Sequence, residues 1–156
     1  MPSFFDFDNM YQNQNTTQNI NFVFAKKCLN GTVYYYAMPP LPLITSIKNV
    51  HEFNALIASN PGKIIIKFGA EWCGPCKTIE STVHHWFSKA PPTIQCCNFD
   101  VDANIDLYGY FKRKKIVNGV PVILCYRQDN TDGYPDDFVS GGDIARTNAF
   151  FERCFA

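Results

Sequence analysis

Residues 63 to 77 read KIIIKFGAEWCGPCK, a nearly unbroken apolar run followed within a few residues by two cysteines in C-x-x-C spacing. A strand with one wet face alternates apolar and polar residues, whereas Lys63 to Gly69 barely does; the run predicts a central strand covered on both sides. Cys73 to about Lys89 predicts a helix, stopped by Ala90-Pro91-Pro92. The dithiol therefore sits where a buried strand enters a helix. Two cysteines at a helix start can close into a small disulfide ring, and the unpaired N–H groups and positive dipole end there stabilise a thiolate. Cys73 is the expected nucleophile and Cys76, one turn in, the resolving thiol. Pro75 suits the first helical turn because its missing N–H had no partner there, and Gly74 lets backbone pass close to the sulfurs.

Around this stretch the pattern is αβ alternation. Residues LPLITSI (41–47) predict a strand, and NVHEFNALIASN a helix with Val50, Phe53 and Ile57 inward. TIQCCNFDV predicts a second buried strand, residues 104 to 115 a helix ending in Lys112-Arg113-Lys114-Lys115, and VPVILCYR with Asp137 to Ser140 an antiparallel pair. A final helix, about Asp143 to Phe155, is expected to bury Ile144, Asn148, Phe151 and Phe155. The resulting class is α/β, a mixed sheet flanked by helices. Before residue 42 the chemistry changes. Residues 12 to 21 are Asn/Gln-rich, with no apolar face to bury, and 21 to 38 predict a β-hairpin turning at Asn30-Gly31, closed off by Pro39, Pro40 and Pro42. The expected organisation is an extension over 1–41 and a catalytic domain over 42–156.

Composition narrows the function classes. The 156 residues carry fourteen basic and fourteen acidic side chains, so no global field favours nucleic acid or an anionic membrane. No apolar run reaches membrane-spanning length. The first ten residues, MPSFFDFDNM, lack the basic and apolar regions of a secretory signal. Seven cysteines, an odd number, fit a reducing compartment where thiols are buried or reactive. The expected location is cytoplasmic, with a virion or organelle left open.

Ala70-Glu71-Trp72-Cys73-Gly74-Pro75-Cys76-Lys77 resembles the active-site signature of the thioredoxin family, and Gly119-Val120-Pro121 resembles the segment that carries the family's cis-proline. The resemblance runs from about Pro42 to Ala156. It implies a thioredoxin-like fold and a thiol-disulfide oxidoreductase. Cys73 would attack a substrate disulfide and Cys76 would resolve the mixed disulfide. Trp72, Gly119, Val120, Pro121 and Gly141 would receive the substrate backbone. The partners implied are protein disulfides and, with no bound cofactor, an external electron source: a thioredoxin reductase, glutathione or another small thiol.

Three positions depart from the family pattern. Lys67 stands where the family commonly has a buried Asp, Asn98 where many members have Lys, and Ser81 where a kink-forming Pro is usual. Lys67 is expected to support the site in one of two ways: as a cation favouring thiolate, or as a desolvated neutral base. Competing readings follow from the same residues. In one, the scaffold is a binding or oligomerisation module that docks through the hairpin, and the dithiol only gates docking. In another, the cysteines hold zinc, although adjacent Cys96 and Cys97 suit a tetrahedral site poorly. Cys96, Cys97 and Cys125 are expected as core thiols, with one of the adjacent pair open to oxidation, and Cys28 and Cys154 as peripheral.

Overall fold

The computed structural model describes residues 23–27, 31 and 33–156. The chain divides into two compact units, the first ending at Met38 and the second spanning Pro39–Ala156. In the first, strands β1 (Val23–Lys27) and β2 (Val33–Ala37) form an antiparallel ladder with Lys27 opposite Val33. That register differs by one residue from the two-residue Asn30-Gly31 turn expected from the sequence, which would set Lys27 opposite residue 34. Gly31 does take a left-handed φ of 81°. The Asn/Gln-rich stretch and Cys28 lie outside the described residues.

The second unit follows the order α1 (Val50–Ala58), β3 (Lys63–Gly69), α2 (Gly74–Ser88), β4 (Ile94–Asp100), α3 (Ile105–Arg113), β5 (Val122–Arg127), β6 (Asp137–Ser140) and α4 (Ile144–Phe155). Its sheet runs β4-β3-β5-β6, with β3 and β4 parallel and the other pairs antiparallel. Strand β3 is central and buried from Ile64 to Gly69. The reason for its continuous apolar run is visible in the packing. Ile64, Ile66 and Phe68 meet Phe53, Leu107 and Phe111 of α1 and α3, while Ile65 meets Ile79, Val83, Phe150 and Phe151 of α2 and α4. Side chains alternate across a strand, so covering both faces requires apolar residues at successive positions.

Four expectations are corrected. The strand over 41–47 reduces to a single bridge at Ile44, whose N–H donates to Cys96 O (3.1 Å) and whose O accepts from Asn98 N (2.9 Å). Pro42 lacks an N–H with which to extend the ladder, and Gln95 takes up the Pro42 carbonyl with its side chain instead. Beyond Thr45 the backbone turns to Asn104, which accepts from Ile47 N. On α4 the buried residues are Thr147, Phe150, Phe151 and Cys154, and Ile144 is exposed. Cys154 is thus core rather than peripheral. Cys96 and Cys97 point to opposite sides of β4 as alternation requires, but helices cover both sides and both residues are buried. No helix among the described residues is long and apolar enough to cross a membrane.

Candidate active site

The end of β3 delivers Ala70-Glu71-Trp72 into a turn closed by Cys73 N donating to Ala70 O at 3.2 Å. Cys73 is the N-cap of α2; its Sγ accepts from Cys76 N at 3.2 Å, and Pro75 occupies the first helical turn. Cys73 and Cys76 are disulfide-bonded, with Cα atoms 5.3 Å apart. Each is only 4% exposed, so burial does not rank the two sulfurs. Position does: Cys73 takes the free N–H end of the helix, which favours a thiolate, while Cys76 Sγ faces Gly69 and the sheet.

Trp72 is 67% exposed, yet its indole Nε1 donates to Asp102 Oδ2 at 2.8 Å. Asp102 is held in turn because Asp100 Oδ1 accepts from the backbone of both Asp102 and Ala103. Asp102 is a site residue that sequence reasoning missed: the motif marks a turn there, with no sign that an indole thirty positions away reaches it.

The Val120–Pro121 peptide bond is cis. Pro121 is buried, Val120 half-buried and Gly119 exposed. Two glycines tie this loop to the dithiol turn in different ways. Gly141, at φ 92°, donates its N–H to Pro121 O at 2.9 Å. Gly142 packs so closely on Pro75 that a methyl there would lie 2.9 Å from Pro75 Cβ. The sequence points to Gly141 or Gly142 as the glycine beside the site, and Gly142 is the one that touches the C-x-x-C turn.

Lys67 lies on β3, 6% exposed, with Nζ donating to Asn98 Oδ1 at 3.3 Å. Burial lowers its amine from the usual lysine range, opposed by the charge of Glu80. Ser81 falls within α2, which is continuous from Gly74 to Ser88. The remaining described cysteines have a different character. Burial pushes the Cys96 thiol up to about 12 and raises Cys97 as well. Cys125 and Cys154 share a hydrogen bond, which raises Cys154. The basic run Lys112–Lys115 is exposed at the end of α3, with Lys112 over the Tyr108 ring and Lys114 over Tyr110.

Residues 44–147 match the thioredoxin family model. The chain is 33% identical over 89 residues to a thioredoxin of Mycoplasma pneumoniae, covering 55% of this chain and 78% of that one. It is 31% identical over 85 residues to thioredoxin-1 of Saccharomyces cerevisiae, covering 54% and 77%. Among solved structures it resembles the thioredoxin of Trichomonas vaginalis, with a TM-score of 0.59 at 21% identity over 72% of this chain and 96% of that one.

Proposed function

The chain belongs to the thioredoxin family and is a thiol-disulfide oxidoreductase, and from this premise we propose that it reduces protein disulfides, with Cys73 as nucleophile and Cys76 as resolving thiol. The observation that carries the direction of attack is the placement of Cys73 Sγ at the N-terminus of α2, accepting from Cys76 N. Once reduced, Cys73 is the sulfur whose negative charge the helix end favours. Its thiolate attacks a substrate disulfide, one substrate sulfur leaves as thiolate, and Cys73 is joined to the other. Cys76 then displaces that sulfur. The dithiol has given up two electrons and closes into the Cys73–Cys76 bond present in the structure.

Trp72, Gly119, Val120 and Pro121 border the exposed side of this turn in the proposal and take the substrate segment, with Gly141 supporting Pro121. The half-buried Val120 and the exposed indole supply apolar surface, and the loop carbonyls and N–H groups offer edge-type hydrogen bonds to an extended peptide. Reduction of the disulfide back to the dithiol draws on electrons from a thioredoxin reductase or a low-molecular-weight thiol, without a cofactor of the chain's own.

Dithiothreitol-driven reduction of insulin tests the proposal. Wild type should accelerate precipitation of the insulin B chain, and Cys73→Ser should fall to the rate of dithiothreitol alone. Equal rates for the two proteins would rule out Cys73 as the nucleophile.

A further inference from the structure

Lys112, Arg113, Lys114 and Lys115 are four consecutive exposed cations at the end of α3, and the chemistry described so far uses none of them. A charge run at a helix C-terminus ordinarily serves the dipole and extends into water. Here three of the four side chains lie back along the helix instead. Lys112 Nζ stands 5.7 Å from the centroid of the Tyr108 ring, and Lys114 Nζ 5.8 Å from that of Tyr110. Arg113 Nη1 lies 3.4 Å from where a methyl on Gly109 would sit, so a glycine inside α3 leaves room for the guanidinium. Among the described residues, none of the four cations is in ion-pair contact with a carboxylate. Lys115, alone among the described non-glycine residues, has a left-handed φ, 57°, at a position where glycine or asparagine is usual.

The lean carries the charge toward the dithiol. Helical side chains tilt toward the N-terminus of their helix, and α3 begins at Ile105, three residues after the Asp102 that holds Trp72. Tyr108 and Tyr110 lie three and five residues into α3, or about 5 and 8 Å along its axis. From its other end, the run reaches Gly119 of the cis-proline loop four residues after Lys115. The cations are therefore tied to the site through both ends of their segment. Their offset along α3 is comparable with the roughly 10 Å over which a charge acts at 0.1 M salt.

Resting on the reductase reading above, we propose that Lys112, Arg113, Lys114 and Lys115 select protein substrates in which an acidic segment flanks the disulfide. An extended chain leaving the dithiol over Trp72 covers ~10 Å in three residues, so carboxylates about three to six positions from the substrate cysteine meet the cations. The formal charge of the whole chain is zero, so the selection belongs to this patch and not to a global field. The patch acts on encounter: the two-electron exchange between dithiol and substrate disulfide is unaltered, and the capture of an acidic partner is what speeds up. Other polyanions fit less well. Lysines occupy the Tyr108 and Tyr110 faces on which a nucleic-acid base would stack. No large apolar residue of 112–120 is exposed to enter a membrane.

The test uses three disulfide-bonded peptides, identical except for a block of four Glu, Gln or Lys residues beginning about three positions from the cysteine. Each is reduced by pre-reduced protein under second-order conditions. At about 20 mM salt, wild type should reduce the Glu peptide roughly 10-fold faster than the Gln peptide, and the Lys peptide more slowly than either. At about 0.5 M salt the three rates should converge to within about 2-fold. With Lys112→Gln, Arg113→Gln, Lys114→Gln and Lys115→Gln combined, the Glu and Gln peptides should react alike at every salt concentration. The Gln peptide should keep its wild-type rate, and the maximal rate at saturating peptide should not move; a disturbed fold would instead slow all three peptides together. Equal rates for the Glu and Gln peptides with wild type would overturn the assignment while leaving the reductase intact, as would a preference that survives in the fourfold variant. A wild type that reduces none of the peptides would overturn both. A single-stranded oligonucleotide, an anionic vesicle or a second copy of the chain bound by wild type and not by the variant, with the Glu and Gln peptides reduced alike, would give the patch to that partner and overturn the proposal. Should the fourfold variant not fold, wild-type rates that fail to converge with salt would overturn the assignment by themselves.

Discussion

Cys76→Ser will stop the protein halfway, as a covalent adduct with its substrate. Cys73 remains at the N-cap of α2, so the first attack still occurs. What disappears is the second thiol, held one helical turn away with its Cα 5.3 Å from that of Cys73. Groups held this close react at effective concentrations on the order of 10⁵ M or more, which no thiol in solution supplies. The adduct should therefore persist for hours without added thiol, run at the summed mass on a non-reducing gel, and dissolve in dithiothreitol. Cys73→Ser should give no adduct. Adducts of equal yield from both variants would show that the two sulfurs are interchangeable, against the asymmetry that the helix end imposes.

The second large effect is on stability. Phe151→Ala should cost ~3–5 kcal/mol, in the range found for emptying an aromatic site in a core. Phe151 is fully buried and stacks on Trp86 at 5.6 Å and 11°, with Phe87, Phe150 and Phe155 edge-on around it. These rings hold α4 against α2, the helix that carries the dithiol. The thermal midpoint should fall by roughly 10 °C or more. Ile144→Ala, at an exposed position on the same helix, should stay within about 0.5 kcal/mol. Comparable losses from the two variants would contradict the orientation of α4 described above.

That orientation shows where sequence reading stops. The stripe Ile144, Asn148, Phe151, Phe155 is helical in spacing, but the buried stripe is Thr147, Phe150, Phe151, Cys154, turned roughly 80° about the axis. Thr147 carries a hydroxyl and is discounted by any hydrophobic count. It can be buried because its Oγ1 donates to Asp143 O at 2.8 Å, a partner visible only once the helix exists. The β3 run was legible because it lies in the middle of the sheet, where burial leaves no alternation to misread. An edge segment has no such signature: residues 41–47 are apolar enough for a strand, yet one missing N–H at Pro42 and one amide, Asn104, draw the backbone away after a single bridge.

At the site the same division holds. C-x-x-C, a preceding strand and Pro75 within the first turn locate the dithiol from spacing alone, since helix ends and their chemistry are local properties. Contacts made across the fold are not local. Asp102 is joined to Trp72 by a single hydrogen bond between two loops. Gly141 and Gly142 look alike in the chain, and only the approach of Pro75 shows that the first needs its backbone angle and the second its missing side chain. Lys67 could be named from the sequence as unusual; that Gly69 and Asn98 are its neighbours is visible only in the fold.

The most direct test of the account counts thiols. Fully reduced protein, freed of reductant, is mixed with a disulfide-bonded substrate, and both partners are alkylated and mapped by mass spectrometry. The account predicts that each chain closes one disulfide, between Cys73 and Cys76, for each substrate disulfide opened, with Cys96, Cys97, Cys125 and Cys154 still alkylated once the protein is unfolded. Substrate thiols appearing without that bond, or with the bond at another pair, would contradict it.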